Sequence, residues 1–222
     1  MECPFLGIDL TCSQSKPSTG IGLDENSDFI FAALLSSNAE IIAVIEAHQP
    51  YIVAIDAPLS LPQGFCCLEE SCCCHSLEAA KGRNCERELA RLGIPCFFTT
   101  KRSIIKKMVC RGIELKAELE GQGYKVIEVY PYATKLRLWG KPIPAKSTPS
   151  GLIFLQERLG NLLPSLASYV VRFDHHFCDA AIAAYTAYLD YVDKAEHIGN
   201  PEEGIICIPK VGAASNEPGL AV

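Results

Sequence analysis

The sequence has no run of about eighteen apolar residues, the length a helix needs to cross a bilayer. Its opening, MECPFLGIDLT, has neither the basic start nor the long apolar stretch of a secretory signal. Membrane-spanning and exported classes therefore lack support, and a cytoplasmic chain is expected. An excess of positive charge is also missing. Twenty Lys and Arg against 26 Asp and Glu give a formal charge of −6, which excludes a generic nucleic-acid coat protein and makes any polyanion contact local. There is no internal repeat, no clear linker and no GxxxxGK[ST] loop, the last of which excludes only a P-loop nucleotide site. What is present is 222 residues, 49% hydrophobic and 21% charged, enough for a sizeable core and too apolar for disorder. One domain over residues 1–210 is expected. A frayed tail over 211–222 should follow, small, polar and Gly/Pro-containing.

The order of apolar runs implies an α/β fold. Residues 5–11 (FLGIDLT), 19–23 and 28–35 (DFIFAALL) read as three strands, with the turn Asp24-Glu-Asn-Ser-Asp between the second and third. Residues 40–49 read as a helix capped near Asn38 and ended by Pro50, and 51–55 (YIVAI) as a strand buried on both faces. A Cys-rich insert over about 63–85 follows, then helical stretches at 84–92 and 101–121. A fifth strand, 125–130 (KVIEVY), is broken at Pro131, and helices at 150–163 and 175–192 and a last short strand, Gly204–Pro209, complete the chain. Right-handed crossovers then give a mixed five-stranded sheet in the order 3-2-1-4-5, with helices on both faces. Strands one, four and five point the same way, and ligands in open α/β sheets sit at that carboxyl edge.

Acidic residues fall at that edge. Asp9 lies near the end of strand one, Asp56 just past strand four and Glu128 within strand five. Asp179 lies on the last long helix, in DHHFCDAAIAAYTAY, whose small residues imply close approach to the sheet. Unpaired carboxylates are costly to bury in strands this rich in Val and Ile. Four converging carboxylates would repel one another without a cation. Two Mg²⁺ or Mn²⁺ ions, which prefer oxygen ligands, would neutralise them and suit phosphodiester cleavage. The alternative for each alone is a turn-closing or capping role.

GIDLT, VAIDAPLSLP, RNCERELARLGIP, EVYPYATK and DHHFCDAAIAAYTA, in this order and spacing, resemble the DUF429 family of predicted nucleases with an RNase H-like fold, from about residue 5 to residue 209. The resemblance implies that the acidic positions are Asp9, Asp56, Glu128 and Asp179. It also implies attack by a metal-activated water that leaves a 5′-phosphate. The alternatives from other classes are a non-catalytic RNase H-like module binding nucleic acid or protein, and a nucleotide-binding, ATPase-like protein.

Further residues extend the expectation. Arg83, near a helix start, could approach a phosphate, as could Lys16 in the loop after strand one. Lys101, Arg102, Lys106, Lys107 and Arg111 crowd the first half of the 101–121 helix, and Glu114, Glu118 and Glu120 its second half. That order opposes the helix dipole, and a polyanion, DNA or RNA, lying along the first half would explain it; the other reading is a solvated basic face. Lys135, Arg137 and Lys141 could extend the patch. His175 and His176 could serve as ligands, as acid/base groups or merely as caps.

Among 12 cysteines, Cys3, Cys12, Cys96, Cys110, Cys178 and Cys207 are scattered and expected to pack as small hydrophobes. Cys66, Cys67, Cys72, Cys73, Cys74, His75 and Cys85 are concentrated, and a subset could hold a structural Zn²⁺ or an iron–sulfur cluster. Disulfides are the alternative.

Overall fold

The computed structural model describes residues 3–12, 16–75 and 81–213. Five runs pair into one mixed sheet: β1 (Phe5–Asp9), β2 (Ser18–Leu23), β3 (Phe29–Leu35), β4 (Ile52–Asp56) and β5 (Lys125–Glu128). Their order is β3-β2-β1-β4-β5, as the crossover rule required. β2 is antiparallel to both β1 and β3, whereas β1, β4 and β5 run parallel. With helices on both faces, this is the α/β, RNase H-like arrangement anticipated. The carboxyl ends of β1, β4 and β5 share one edge.

Alternate residues of the central strands supply two cores. Leu6, Ile8, Val53 and Ile55 pack against Ile41 and Ile45 of α1 (Asn38–His48) and Leu115 and Leu119 of α3 (Lys106–Gly121). Phe5, Ile52 and Ala54 face the other way, toward α5 (Pro149–Leu162) and α7 (His175–Tyr191). Burial on both faces explains why β1 and β4 read as continuous apolar runs. The small residues of α7 allow near contact between backbones. A Cβ added at Gly7 would lie 2.2 Å from both Ala180 O and Ala184 N, so only glycine fits there.

A third core joins α2 (Asn84–Arg91), α4 (Pro131–Trp139) and a second, two-stranded sheet through Cys85, Leu89, Ala133, Ile206 and Ile208. That sheet pairs β6 (Ala195–Asn200) with β7 (Gly204–Pro209) in antiparallel fashion. A short α6 (Ala167–Val170) connects α5 to α7. Glu203, in the turn between β6 and β7, accepts from the backbone N–H of Gln63 at 2.8 Å and also from that of Asn84. It thereby ties together both ends of the Cys-rich insert. Positions 76–80 of that insert and 214–222 of the expected tail lie outside the described residues; 211–213 form a turn.

Several local expectations are corrected. The fifth strand stops at Glu128, short of the expected Tyr130, and Pro131 opens α4, since a proline fits the first helical turn, where its missing N–H is not needed. Strand one stops at Asp9, and the Thr11 N–H turns to Ser18 Oγ at 3.2 Å instead of continuing a ladder. The α1 cap is Ser37, whose side chain accepts from Glu40 N. α3 begins at Lys106, not 101. Upstream, Ser103 Oγ donates to Phe98 O at 2.7 Å and accepts from Thr100 N at 2.9 Å, side-chain bonds that compete with a helical turn. Strand β6 has weak β character (AEHIGN) and owes its pairing to β7. Of the scattered cysteines, Cys3, Cys178 and Cys207 are buried, but Cys12 and Cys110 are exposed.

Candidate active site

In a parallel ladder, paired residues project from the same face. Asp9 pairs with Asp56 in the β1–β4 register, and both carboxylates follow the alternation toward α7. Asp174 caps that helix, accepting from His176 N at 2.9 Å and Phe177 N at 3.0 Å. Three positions apart on α7, and hence on one face, come His176 and Asp179. His176 Nδ1 lies 2.5 Å from Asp9 Oδ2. The cap is therefore Asp174 rather than the histidine pair, and His176 joins the carboxylates.

The three aspartates are neutralised unequally. Asp179 is buried and held between two lysines, Lys135 at 2.9 Å from Oδ1 and Lys146 at Oδ2. Burial alone would raise its pKa; the two ammonium groups bring it below the ordinary carboxylate range. Asp56 accepts no hydrogen bond and forms no ion pair among the described residues. Burial and then the charges on Asp9 and Asp179 push its pKa well up. The hydrogen bond that His176 donates to the Asp9 carboxylate raises the His176 pKa, whereas burial and the charge on His176 lower that of His175. A site with one carboxylate raised and another depressed carries the charge imbalance that marks functional clefts.

Glu128 departs from the expected quartet. Its ladder partner is Ile55, one residue short of Asp56, so it leaves the sheet on the opposite face. There it meets Arg83, which is 1% exposed. Arg83 Nη1 and Nη2 donate to the two Glu128 oxygens at 2.7 and 2.6 Å, and Nε donates to Glu86 at 2.9 Å. Leu59 N completes Glu128 at 2.7 Å, while Thr99 adds two bonds to Glu86. Arg83 is thus enclosed by carboxylates and is not presented to a phosphate. Nevertheless Asp9, Asp56, Glu128, Arg83, Lys16 and Lys146 all border one cavity of about 410 Å³ around the carboxyl edge. Sequence reasoning missed Lys146, in the non-periodic segment KPIPAKSTPS. It read Lys135 as part of a surface patch, because α4 was not anticipated.

The rest of the basic patch divides. Lys101 Nζ lies 5.5 Å over the Phe65 ring and donates to Cys72 O. Arg102 and Lys106 face Glu70 at 3.6 and 3.8 Å, and exposed Arg102 borders a groove beside the cavity. Arg111 is a structural tie, bonded to Asn38 Oδ1 at 2.8 Å and Thr11 O at 2.7 Å. Arg137 pairs with Glu196 at 2.6 Å and Lys141 donates to Gly93 O at 3.1 Å, so neither extends the patch.

The insert resolves into a smaller ligand set. One ligand atom from each of Cys66, Cys67, Cys72 and Cys74 lies within 4.8 Å of all the others. Cys73 and His75 are exposed outside that group, with His75 Nδ1 at 3.4 Å from Cys73 O. Cys85 is buried in the third core. No disulfide forms among the described cysteines.

No helix among the described residues is long and apolar enough to cross a membrane. No curated protein matches the sequence. Among solved structures, the chain is similar to Thermus thermophilus RuvC, at 14% identity and a TM-score of 0.46, over 85% of this chain and 95% of that one. It is likewise similar to T. thermophilus RuvC in complex with a Holliday junction substrate, at 14% identity and a TM-score of 0.46, over 84% and 94%. The model of a family described as "Protein of unknown function (DUF429)" matches residues 7–204, and the chain belongs to that family.

Proposed function

We propose that this protein is a metal-dependent nuclease or related phosphodiesterase, with Asp9, Asp56 and Asp179 as the ion-holding carboxylates. The observation that carries this reading is the juxtaposition of Asp9 and Asp56 on adjacent parallel strands facing Asp179 of α7, with Asp56 making no hydrogen bond or ion pair among the described residues while the two lysines near it are engaged by Asp179. Such a set fits a hard divalent ion, Mg²⁺ or Mn²⁺, which takes carboxylate oxygens. When bound there, the metal would supply Lewis-acid stabilisation of phosphoryl oxygens and activation of water. His176 orients Asp9 through Nδ1. Lys135, buried beside Asp179, is a fixed positioning charge, whereas Lys146 is half-exposed and reaches the same carboxylate from the cavity wall. Glu128 supports the wall through Arg83 and is not assigned an ion.

The test is cleavage of labelled DNA and RNA, single-stranded and duplex, with Mg²⁺, with Mn²⁺ and with no divalent ion added. An Asp9→Asn/Asp56→Asn variant should keep its fold and lose metal-dependent cleavage. Cleavage that survives in that variant would remove the assignment.

The same reading gives the cysteine cluster one Zn²⁺. Four sulfurs about 2.3 Å from a single ion stand roughly 3.8 Å apart, and Cys66 Sγ and Cys72 Sγ lie 3.6 Å apart. A multi-iron cluster would place some of its four sulfurs farther apart than the 4.8 Å that spans all four here. Backbone hydrogen bonds from Cys66 and Cys67 bring the Cys74 pKa down to about 6, so one thiolate is available at neutral pH. Metal analysis should find one zinc per chain, lost in Cys72→Ser and kept in Cys73→Ser. Iron with inorganic sulfide, or no metal, would refute zinc.

A further inference from the structure

The described surface beside the carboxylate cavity carries a second concavity, of about 610 Å³, bordered by the zinc-loop residue Phe65, by Lys81, and by the segment from Phe97 to Ile105. Its character differs from the rest of an acidic protein. Phe97 is 68% exposed and Ile104 87% exposed, an unusual display for large apolar side chains. Around them stand Lys81, Lys101 and Arg102; no carboxylate among the described residues borders the concavity, although Glu70 lies 3.6 Å from Arg102 Nε. Lys81 already sits 5.8 Å over Phe98 and Lys101 5.5 Å over Phe65, so rings and cations alternate along the groove. Phe97 and Ile105 also border the carboxylate cavity, so the two spaces lie side by side across a shared wall.

We infer that this groove binds single-stranded nucleic acid, its bases on the exposed Phe97 ring and the half-buried Phe65 and Phe98 rings beside it and its phosphates along the cations, and feeds the strand to the carboxylate cavity. The inference rests on the nuclease reading for what happens in the cavity, but not for binding in the groove. Exposed rings with interleaved cations are the arrangement by which proteins hold unpaired strands, because every base offers a π-face. A duplex hides those faces in its stack and is held chiefly through phosphates, with base edges read in its grooves. The volume lies in the range of sites that take small organic ligands, so a nucleotide unit fits. A chain with a formal charge of −6 gains little from general attraction to a polyanion. Recognition has to be local, and this concavity combines cations with stacking surface.

The full-length Asp56→Asn protein separates binding from turnover. Its affinity is measured by fluorescence anisotropy for labelled dT15, rU15 and a mixed-sequence duplex of equal length. No divalent ion or chelator is added, so that zinc is retained. At least one single strand should bind tenfold or more tightly than the duplex, the tighter arm identifying the sugar. Phe97→Ala should weaken single-strand binding by roughly tenfold, since a stacked base contributes about 1–3 kcal/mol, and Phe97→Trp should preserve it. Arg102→Gln should reduce the slope of log affinity against log salt by about 0.7, one phosphate's share on a single strand. Equal or tighter duplex binding, or a Phe97→Ala protein within twofold of its parent, overturns the inference. Phe97-dependent binding without any cleavage by the wild-type protein keeps the groove and refutes the nuclease reading. Duplex cleavage indifferent to Phe97→Ala does the reverse.

Discussion

Replacing Arg83 with Met tests whether the second acidic cluster is structural. The guanidinium is buried and gives two of the three hydrogen bonds that Glu128 receives, the third coming from Leu59 N. Glu86 loses only one side-chain bond, keeping Arg83 N and both groups of Thr99. The cost therefore falls on Glu128, stranded as a buried and nearly unpaired charge. Removing one partner of such a pair costs about 3–5 kcal/mol. In a chain of this size that corresponds to a fall in Tm of roughly 6–20 °C. Urea unfolding followed by circular dichroism should show a lower midpoint with an unchanged slope. Adding Glu128→Gln to the Met variant removes the stranded charge and should restore about half of the loss. The two substitutions should thus couple by about 2 kcal/mol. Glu128→Gln alone should retain metal-dependent cleavage below its melting range, in contrast to Asp56→Asn. A Met variant within about 1 kcal/mol of wild type, or no recovery in the double variant, would refute this account of Glu128.

Gly7→Ala should destabilise the protein by about 3 kcal/mol, the upper part of the usual overpacking range, because the new methyl meets α7 backbone that cannot turn aside; thermal melting checks this, and a loss under 1 kcal/mol would mean the strand and helix separate easily. Asp190 binds Lys125 at 2.7 Å and His197 at 2.8 Å, and despite burial, which opposes it, these partners hold its pKa below the usual value. A depressed carboxyl stabilises the fold above its unfolded pKa and loses that contribution as pH falls through the folded one. Asp190→Asn should therefore cost about 1 kcal/mol at pH 7, modest because Lys125 is largely exposed, and progressively less below about pH 4; a cost independent of pH would point to packing instead. Lys146→Met removes a cation that competes for Asp179, so the Mg²⁺ concentration for half-maximal cleavage should fall; a rise would assign Lys146 to substrate.

The sheet was legible because its information is local. FLGID and YIVAI are too apolar for anything but buried strands, and the crossover rule leaves one order for them. The approach of α7 was equally readable in AAIAAYTA. β6 was not, since AEHIGN becomes a strand only through β7. The helix α4 was hidden because Pro131 signals both the end of a strand and the start of a helix, and sequence alone favoured the first meaning.

The site was only half legible, for a different reason. A carboxylate in an apolar strand announces that something cationic neutralises it, but not whether that is an ion or a side chain from far along the chain. Asp9 and Asp56 share a face because their strands pair in register, whereas Glu128 aligns with Ile55 and so lies on the other. One residue of register, invisible in KVIEVY, decides between the face that carries the aspartates and a partnership with Arg83. The cations follow the same division. Arg83 is 45 positions from Glu128, and Lys135 is 44 positions from Asp179. Each pair closes only when the sheet edge is assembled. Asp56 is the exception, brought to the same edge without a described ion pair of its own, and it is there that the proposed divalent ion would gain most from binding.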